Sequence, residues 1–264
     1  MNETQKDCVI LEQNGFVASV ILNTPPHNPL SMAVIDRLEE IFTGLAANDS
    51  VRTVLFTGAG ERSFSVGADI REFGTAAMEG MGFRNFIDQR LRVADRIENL
   101  SKPVICAIRG ACVGGGLELA LACHFRIAAT GARIGLPEIE LGIVPAWGGT
   151  QRLTRTVGRA HALDLILRAK RIGAEEAYRI GLVHEVCAPA ELLERARALA
   201  NELAQKAPIA VAGVLKAVVR GGPLTLNDGL ALELEAVEAA AGSEDAREGV
   251  LAFLEKRKPV FRGR

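Results

Sequence analysis

The chain has 264 residues, 48% of them apolar and 24% charged, with 31 basic against 32 acidic side chains and a net charge of -1. That apolar share is enough to bury a sizeable core in one large domain, or in a domain with an appendage. The near-neutral balance gives no global attraction to nucleic acid or a membrane surface, so any anionic ligand must be met by local cations.

Met1 to Asp7 are polar and of mixed charge, unlike a signal peptide. No apolar run approaches the roughly 20 residues of a membrane span. Strands are predicted at 9–12 and 17–22. Ser31 is the expected N-cap of a helix reaching about Ala47, with Val34, Ile35, Leu38, Ile41, Phe42 and Leu45 at helical spacing. A strand at 53–57 leads through Gly58-Ala59-Gly60 to Phe64-Ser65-Val66-Gly67-Ala68-Asp69-Ile70, a glycine-hinged segment ahead of a helix. A further helical pattern covers about 83–100, with Phe86, Leu91, Val93, Ala94 and Ile97 as its apolar members.

The run 104–108 is apolar throughout, as expected of a strand buried on both faces. After it come Gly114-Gly115-Gly116-Leu117-Glu118, where N–H groups near Gly115 stand unpaired at a positive helix end. Taken alone, the triplet equally marks a tight turn, and Glu118 equally an acid favoured in a first turn. Beyond a strand at 126–129, Leu136-Pro137-Glu138 precedes Leu141-Gly142-Ile143-Val144-Pro145. A pair of glutamates is the minimum needed to hold a water and move its proton.

A strand at 182–186 ends the alternation of strands and helices, which argues for an α/β fold with substantially parallel pairing. After about Ala188 only helical patterns follow, at 190–207, 209–220, 224–241 and 245–257, broken at Pro208, Gly221-Gly222-Pro223 and Gly242. The expected organisation is a core over 1–190 that carries the site, with an all-helical region over 191–264. Cys8, Cys106, Cys112, Cys123 and Cys187 are odd in number and scattered, and read as buried thiols of a reducing, cytoplasmic compartment. His27, His124, His161 and His184 lack metal spacing or a nucleophile partner, so no metal site is expected.

Three of these segments together resemble the crotonase superfamily, and within it the enoyl-CoA hydratases. They are 64–69, Gly110 to Glu118, and Pro137-Glu138 through Pro145-Ala146-Trp147-Gly148-Gly149-Thr150-Gln151-Arg152-Leu153. The likeness runs from Leu22-Asn23 to the terminal 253–261. It implies a spiral of ββα turns and a helical C-terminal trimerisation region, assembled as a homotrimer or homohexamer. It also implies that the N–H groups of Ala68 and Gly115 form an oxyanion hole for an acyl-thioester oxygen. Glu118 and Glu138 take the two catalytic positions, Glu118 activating water and Glu138 delivering the proton, and Glu140 is a solvated bystander.

Coenzyme A is then part of the substrate, and no separate cofactor is implied. Val66, Asp69 and Ile70 fall at CoA-contacting positions, and Phe253 and Lys256 near the CoA of a neighbouring subunit. These last two lie by the basic cluster Lys256, Arg257, Lys258, Arg262 and Arg264, which alone equally reads as a solvated tail. The segment 73–86, with Met78 and Met81, is the expected acyl-tail wall. Trp147 either lines the acyl pocket or packs. Two departures stand out. Residues 24–31 lack the arginine that often follows Leu-Asn in relatives, and Ala146 replaces a frequent glycine.

The reaction implied is reversible syn-addition of water to a 2-trans-enoyl-CoA. The alternatives are Δ3-Δ2 enoyl-CoA isomerisation, hydration of a cyclic or sulfur-bearing enoyl-CoA, and a pseudoenzyme, which the intact carboxylate pair disfavours. One branch of the superfamily binds AU-rich RNA through a lysine-rich helix. Here 84–102 mixes Arg84, Arg90, Arg92 and Arg96 with Asp88, Asp95 and Glu98, so an RNA partner is not expected.

Overall fold

The computed structural model describes residues 8–78 and 81–264, with the side chains of 76–78 and 81–83 outside that description. The predicted character of Met1 to Asp7 therefore lies outside the described residues. The first strands, β1 (Val9–Asn14) and β2 (Val17–Leu22), form an antiparallel hairpin that pairs Val9 with Leu22 and Asn14 with Val17. Helix α1 (Met32–Ala47) follows, its Ser31 cap accepting from Val34 N–H at 3.4 Å and its predicted apolar face buried.

The chain then repeats one device. A long strand is followed by a short strand of a second sheet and then by a helix. β3 (Thr53–Gly58) leads to β4 (Ser63–Ser65), α2 (Ile70–Met78) and α3 (Met81–Glu98). β5 (Val104–Ile108) leads to β6 (Ala111–Val113) and α4 (Gly115–Ala122). β7 (Phe125–Ala129) leads to β8 (Arg133–Gly135), a 3-10 turn (Glu138–Leu141) and α5 (Gly149–Leu167), which kinks at Gly158. β9 (Ile172–Gly173), α6 (Ala174–Arg179) and β10 (Glu185–Cys187) complete the sheets.

The first sheet has the order β1-β2-β3-β5-β7-β10, parallel except for β1–β2. The second has the order β4-β6-β8-β9, parallel except for β8–β9. This is the spiral of ββα turns implied by the sequence resemblance. The short strands went unread because two or three residues show no periodicity. The strand expected at 182–186 forms at Glu185–Cys187 instead. Leu182 and Val183 leave the strand position and fill the core from the preceding loop.

The side chains of β5 show why it is apolar throughout. Val104, Cys106 and Ile108 enter the main core, while Ile105 and Ala107 enter a second core on the opposite face. That second core is closed by α7 (Leu192–Ala204), whose Leu192, Ala196, Ala200 and Ala204 recur every fourth residue along one stripe. The alanines let the helix approach closely enough for Thr53 Oγ1 to donate to Ala200 O at 3.1 Å. The first helix after Ala188 is thus a layer of the core.

Beyond α7, α8 (Pro208–Gly221) packs on α9 (Leu226–Ala241), with Gly213 against Ala236 and Gly221 against Gly229. Neither helix buries a residue fully. α10 (Glu244–Leu254) ends the helical series. Cys106, Cys112, Cys123 and Cys187 are buried and Cys8 is partly exposed. No helix among the described residues is long and apolar enough to cross a membrane.

Candidate active site

Because β4, β6 and β8 are parallel neighbours, the loops leaving their C-terminal ends meet at one edge. These loops are 66–68, 114–115 and 136–138. The first is strapped from beneath. Gly67 N–H donates to Ser65 Oγ at 3.1 Å, Ser65 Oγ donates to Asn28 O at 2.8 Å, and Leu30 N–H donates to Gly67 O at 2.8 Å. Gly67 sits at φ 89, and a Cβ there would stand 2.9 Å from Gly115 N, so the two backbones touch with no room for a side chain. Gly114, at φ 57, donates to Gly135 O at 3.0 Å and turns the chain into α4. As the first residue of that helix, Gly115 has no carbonyl four residues back within it to receive its N–H.

Glu118 lies within the first turn of α4 and is 2% exposed. Its Oε1 accepts N–H bonds from Trp147 at 2.7 Å and Gly149 at 2.8 Å, presented by a turn through Gly148 at φ 97. Burial, followed by the neighbouring Glu138, raises its pKa from the ordinary 4.5 to about 7, against the opposing pull of those two donors and of Arg152. Glu138 opens the 3-10 turn. Its Oε1 lies 3.2 Å from where a Cβ on Gly114 would be, and its Oε2 is buried with no hydrogen-bond partner. Burial raises its pKa as well. Two carboxylates, each pushed towards neutrality, thus face the same space.

That space is a cavity of about 300 Å³ whose walls include Val66, Gly67, Ala68, Gly115, Glu118, Glu138 and Trp147. The structure therefore brings both glutamates, Ala68, Gly115, Val66 and Ile70 together. Trp147 is 3% exposed, and its ring fills the place a side chain at Gly115 would need. It both lines and packs. The rim is apolar and open, with Ile70 66%, Leu141 61% and Val144 64% exposed. Phe73, at the start of the expected acyl-tail wall, lines the cavity, as do Leu141 and Val144, which the sequence did not single out because they join the site only through the geometry of the segment after Glu138.

Other expected residues fall elsewhere. Asp69 is held by Arg71 at 2.8 Å, which keeps its carboxyl below the ordinary range. Glu140 is exposed and ion-paired with Arg171 at 2.7 Å on the cavity's edge. Phe253, 82% exposed, and Lys256 stand at the end of α10 and line no part of this cavity. Within the basic cluster, Arg257 pairs with Glu248 and Glu255, and Arg264 with Glu244. The side chains of Met78 and Met81 lie outside the described residues.

Sequence reasoning also missed Arg90, a wholly buried cation stacked on Phe86 at 3.3 Å and lying 5.3 Å from the Trp147 ring. Burial lowers its pKa to about 10. His124 and His184 accept backbone N–H bonds from Val104 and Arg126, which are structural roles. Among the described residues no cluster of three or more His, Cys, Asp or Glu side chains is placed to hold a metal.

Comparison with known proteins bears on this site. A family profile described as Enoyl-CoA hydratase/isomerase matches residues 12–264. A probable enoyl-CoA hydratase of Bacillus subtilis (strain 168) is 42% identical over 259 residues, covering 97% of this chain and 99% of the relative. A short-chain-enoyl-CoA hydratase of Clostridium acetobutylicum is 42% identical over 251 residues, covering 95% of each. Among solved structures, an enoyl-CoA hydratase from Bacillus anthracis superposes with a TM-score of 0.93 at 39% identity, covering 97% of this chain and 100% of that one.

Proposed function

The chain belongs to the enoyl-CoA hydratase/isomerase family, and from that premise we propose that it adds water reversibly across the double bond of a 2-trans-enoyl-CoA to give a 3-hydroxyacyl-CoA. The observation that carries this reading is the pair Glu118 and Glu138, both lining one cavity beside the N-terminus of α4. An enzyme that only shifts a double bond has no need of two carboxylates to hold a water.

The thioester oxygen receives hydrogen bonds from the N–H groups of Ala68 and Gly115. Negative charge gathers there as water attacks the β-carbon, and each such donor stabilises the transition state by roughly 3 kcal/mol. Glu118, as the carboxylate, takes a proton from the attacking water while its oxygen bonds to the β-carbon. The π electrons move onto the thioester as an enolate. Glu138, as the neutral acid, then protonates the α-carbon, and the carbonyl re-forms. The pair holds one proton before and after the reaction and two while the enolate exists, and passing the proton left on Glu118 to Glu138 resets the site.

The surroundings of the two acids support these roles. Two backbone donors favour the charged form of Glu118, whereas Glu138 keeps a buried oxygen without a partner. Coenzyme A enters as part of the substrate, with Val66 and Ile70 at the cavity mouth on its path, Asp69 turned to Arg71 between them in sequence, and no separate cofactor in the reaction. Trp147 borders the acyl group. The protein works in the cytoplasm as a homotrimer or homohexamer, and Phe253 and Lys256 reach the CoA bound by a neighbour. An RNA-binding role has no support on α3, where Arg84 pairs with Asp88, Arg92 and Arg96 pair with Glu39, and Arg90 is buried.

The test is incubation with crotonyl-CoA while following loss of the conjugated enoyl absorbance. Turnover is expected, and Glu118→Gln and Glu138→Gln each lose at least about 10²-fold in kcat. Wild-type turnover in either variant sinks the two-carboxylate mechanism. Absence of turnover across short, long and cyclic enoyl-CoAs sinks the hydratase reading.

A further inference from the structure

Outside the cavity, one partly buried network touches the site without being part of it. Arg152 lies in the first turn of α5 and uses all three nitrogens of its guanidinium. Nε and Nη2 donate to Glu98 Oε2 at 2.9 and 2.7 Å, and Nη1 donates to Trp147 O at 2.9 Å. Glu98 ends α3 and is fixed in turn, its carbonyl lying 3.1 Å from His124 Nε2. The pair is sheltered, with Arg152 and Glu98 side chains 13% and 31% exposed. A Cβ on Gly148 would fall onto the Arg152 guanidinium, so the arm reaches Trp147 only because that turn residue has no side chain. On the other side of the same turn, the N–H groups of Trp147 and Gly149 hold Glu118.

We infer that Arg152, anchored by Glu98, is a positioning residue that fixes the 147–149 turn so that its two N–H groups hold the Glu118 carboxylate in catalytic register. This rests on the hydratase reading of the site. The ion pair ties the end of α3 to the start of α5, and a planar guanidinium is needed because a single ammonium cannot serve the carboxylate and the carbonyl in fixed directions. Arg152 also supplies positive charge behind Glu118. The other charged groups around Glu118 are Glu138 on the 3-10 turn and, behind Trp147, Arg90 on α3. Of these, Arg152 and Glu138 act on its titration, in opposite directions.

The experiment measures kcat and KM for crotonyl-CoA across pH for the wild type, Arg152→Gln, Arg152→Lys, Glu98→Gln and the Glu98→Gln/Arg152→Gln double variant. Arg152→Gln is expected to lose about 10-fold or more in kcat with KM within about twofold, because small displacements of a catalytic group are costly. The acidic limb of its kcat/KM profile should move to higher pH, because the cation favouring ionised Glu118 is gone. Arg152→Lys should lose kcat while keeping the wild-type limb. Glu98→Gln should lose kcat, and the double variant should be no worse than Arg152→Gln.

An unmoved limb in Arg152→Gln, wild-type kcat in that variant, or additive losses in the double variant overturn the inference. A wild type that hydrates nothing speaks against the hydratase reading alone. The positioning claim is then decided by following the Glu118 carboxyl titration with ¹³C-labelled glutamate. That titration should rise in Arg152→Gln, and an unchanged value refutes the claim.

Discussion

Glu118 is a buried acid that the fold would hold more comfortably without its charge. Its carboxyl titrates near 7 in the folded protein, against an ordinary value of 4.5. Below about pH 4.5 both folded and unfolded chains carry it protonated and it costs nothing. As pH rises towards 7 the unfolded chain ionises it first, so folded stability is lost across that window. The loss is complete above about pH 7, and at roughly 1.4 kcal/mol per pH unit it amounts to about 3 kcal/mol. Glu118→Gln keeps the oxygen that accepts from Trp147 and Gly149 and removes the charge. Thermal unfolding at pH 8 should therefore show the inactive variant more stable than wild type, with the difference fading near pH 4. A variant less stable at pH 8 contradicts the assignment of burial as the dominant effect. The Glu138 Oε2, buried in the proposed site without a hydrogen-bond partner, is a second group there that is better off neutral.

At the scale of elements, the site is made by three short parallel strands that release their loops at one edge, and its tightest tolerance is between the first two loops. A methyl at Gly115 would stand 2.6 Å from Trp147 Cε3, well inside contact distance, so the ring must move and carry its own N–H away from Glu118. Gly115→Ala should fold, because one displaced ring costs typically 1–3 kcal/mol, yet lose about 10²-fold in kcat against crotonyl-CoA. Near-wild-type turnover would show that α4 tolerates displacement and that the N–H of Gly115 is not a donor to the reacting oxygen. The long strands and α1 were legible because they bury enough residues to show a period, Val104–Ile108 on two faces and Val34 to Leu45 on one. The strands that aim the site span two or three residues and left no pattern. α5 went unread although Leu153, Val157, Ala162 and Leu165 mark its buried face, because Gly158 interrupts it, and α6 has only six residues. Glu118 and Glu138 were legible from the glycine run and the Pro-Glu pair, with the family resemblance to join them. Arg152 and Glu98 were not, since 54 positions separate them and only the tertiary fold brings the end of α3 to the start of α5.

At the scale of the whole molecule, the outer helices present apolar surface that a lone chain leaves wet. Val214 and Val218 on α8, Leu234 and Val237 on α9, and Phe253 and Leu254 at the end of α10 are each more than half exposed. Exposed large apolar side chains on three successive helices suit an interaction surface, and covering such side chains fully is worth about 1.5–3 kcal/mol each. A second and third copy of the chain is the proposed cover, an arrangement that would also give Phe253 and Lys256 a cavity to reach. Multi-angle light scattering should then report a mass of three or six chains at micromolar concentration. Leu234→Glu with Val237→Glu should shift it to the single chain, because two buried charges without partners outweigh what remains of the contact. The dissociated protein should show a raised KM for crotonyl-CoA, and Phe253→Ala should raise KM severalfold while leaving the mass unchanged. A wild type that is monomeric and fully active refutes both the assembly and the shared site. An oligomer whose KM ignores Phe253 refutes only the contribution from the neighbouring subunit. The outcome thus separates helices that merely glue the chains together from helices that also complete one another's substrate sites.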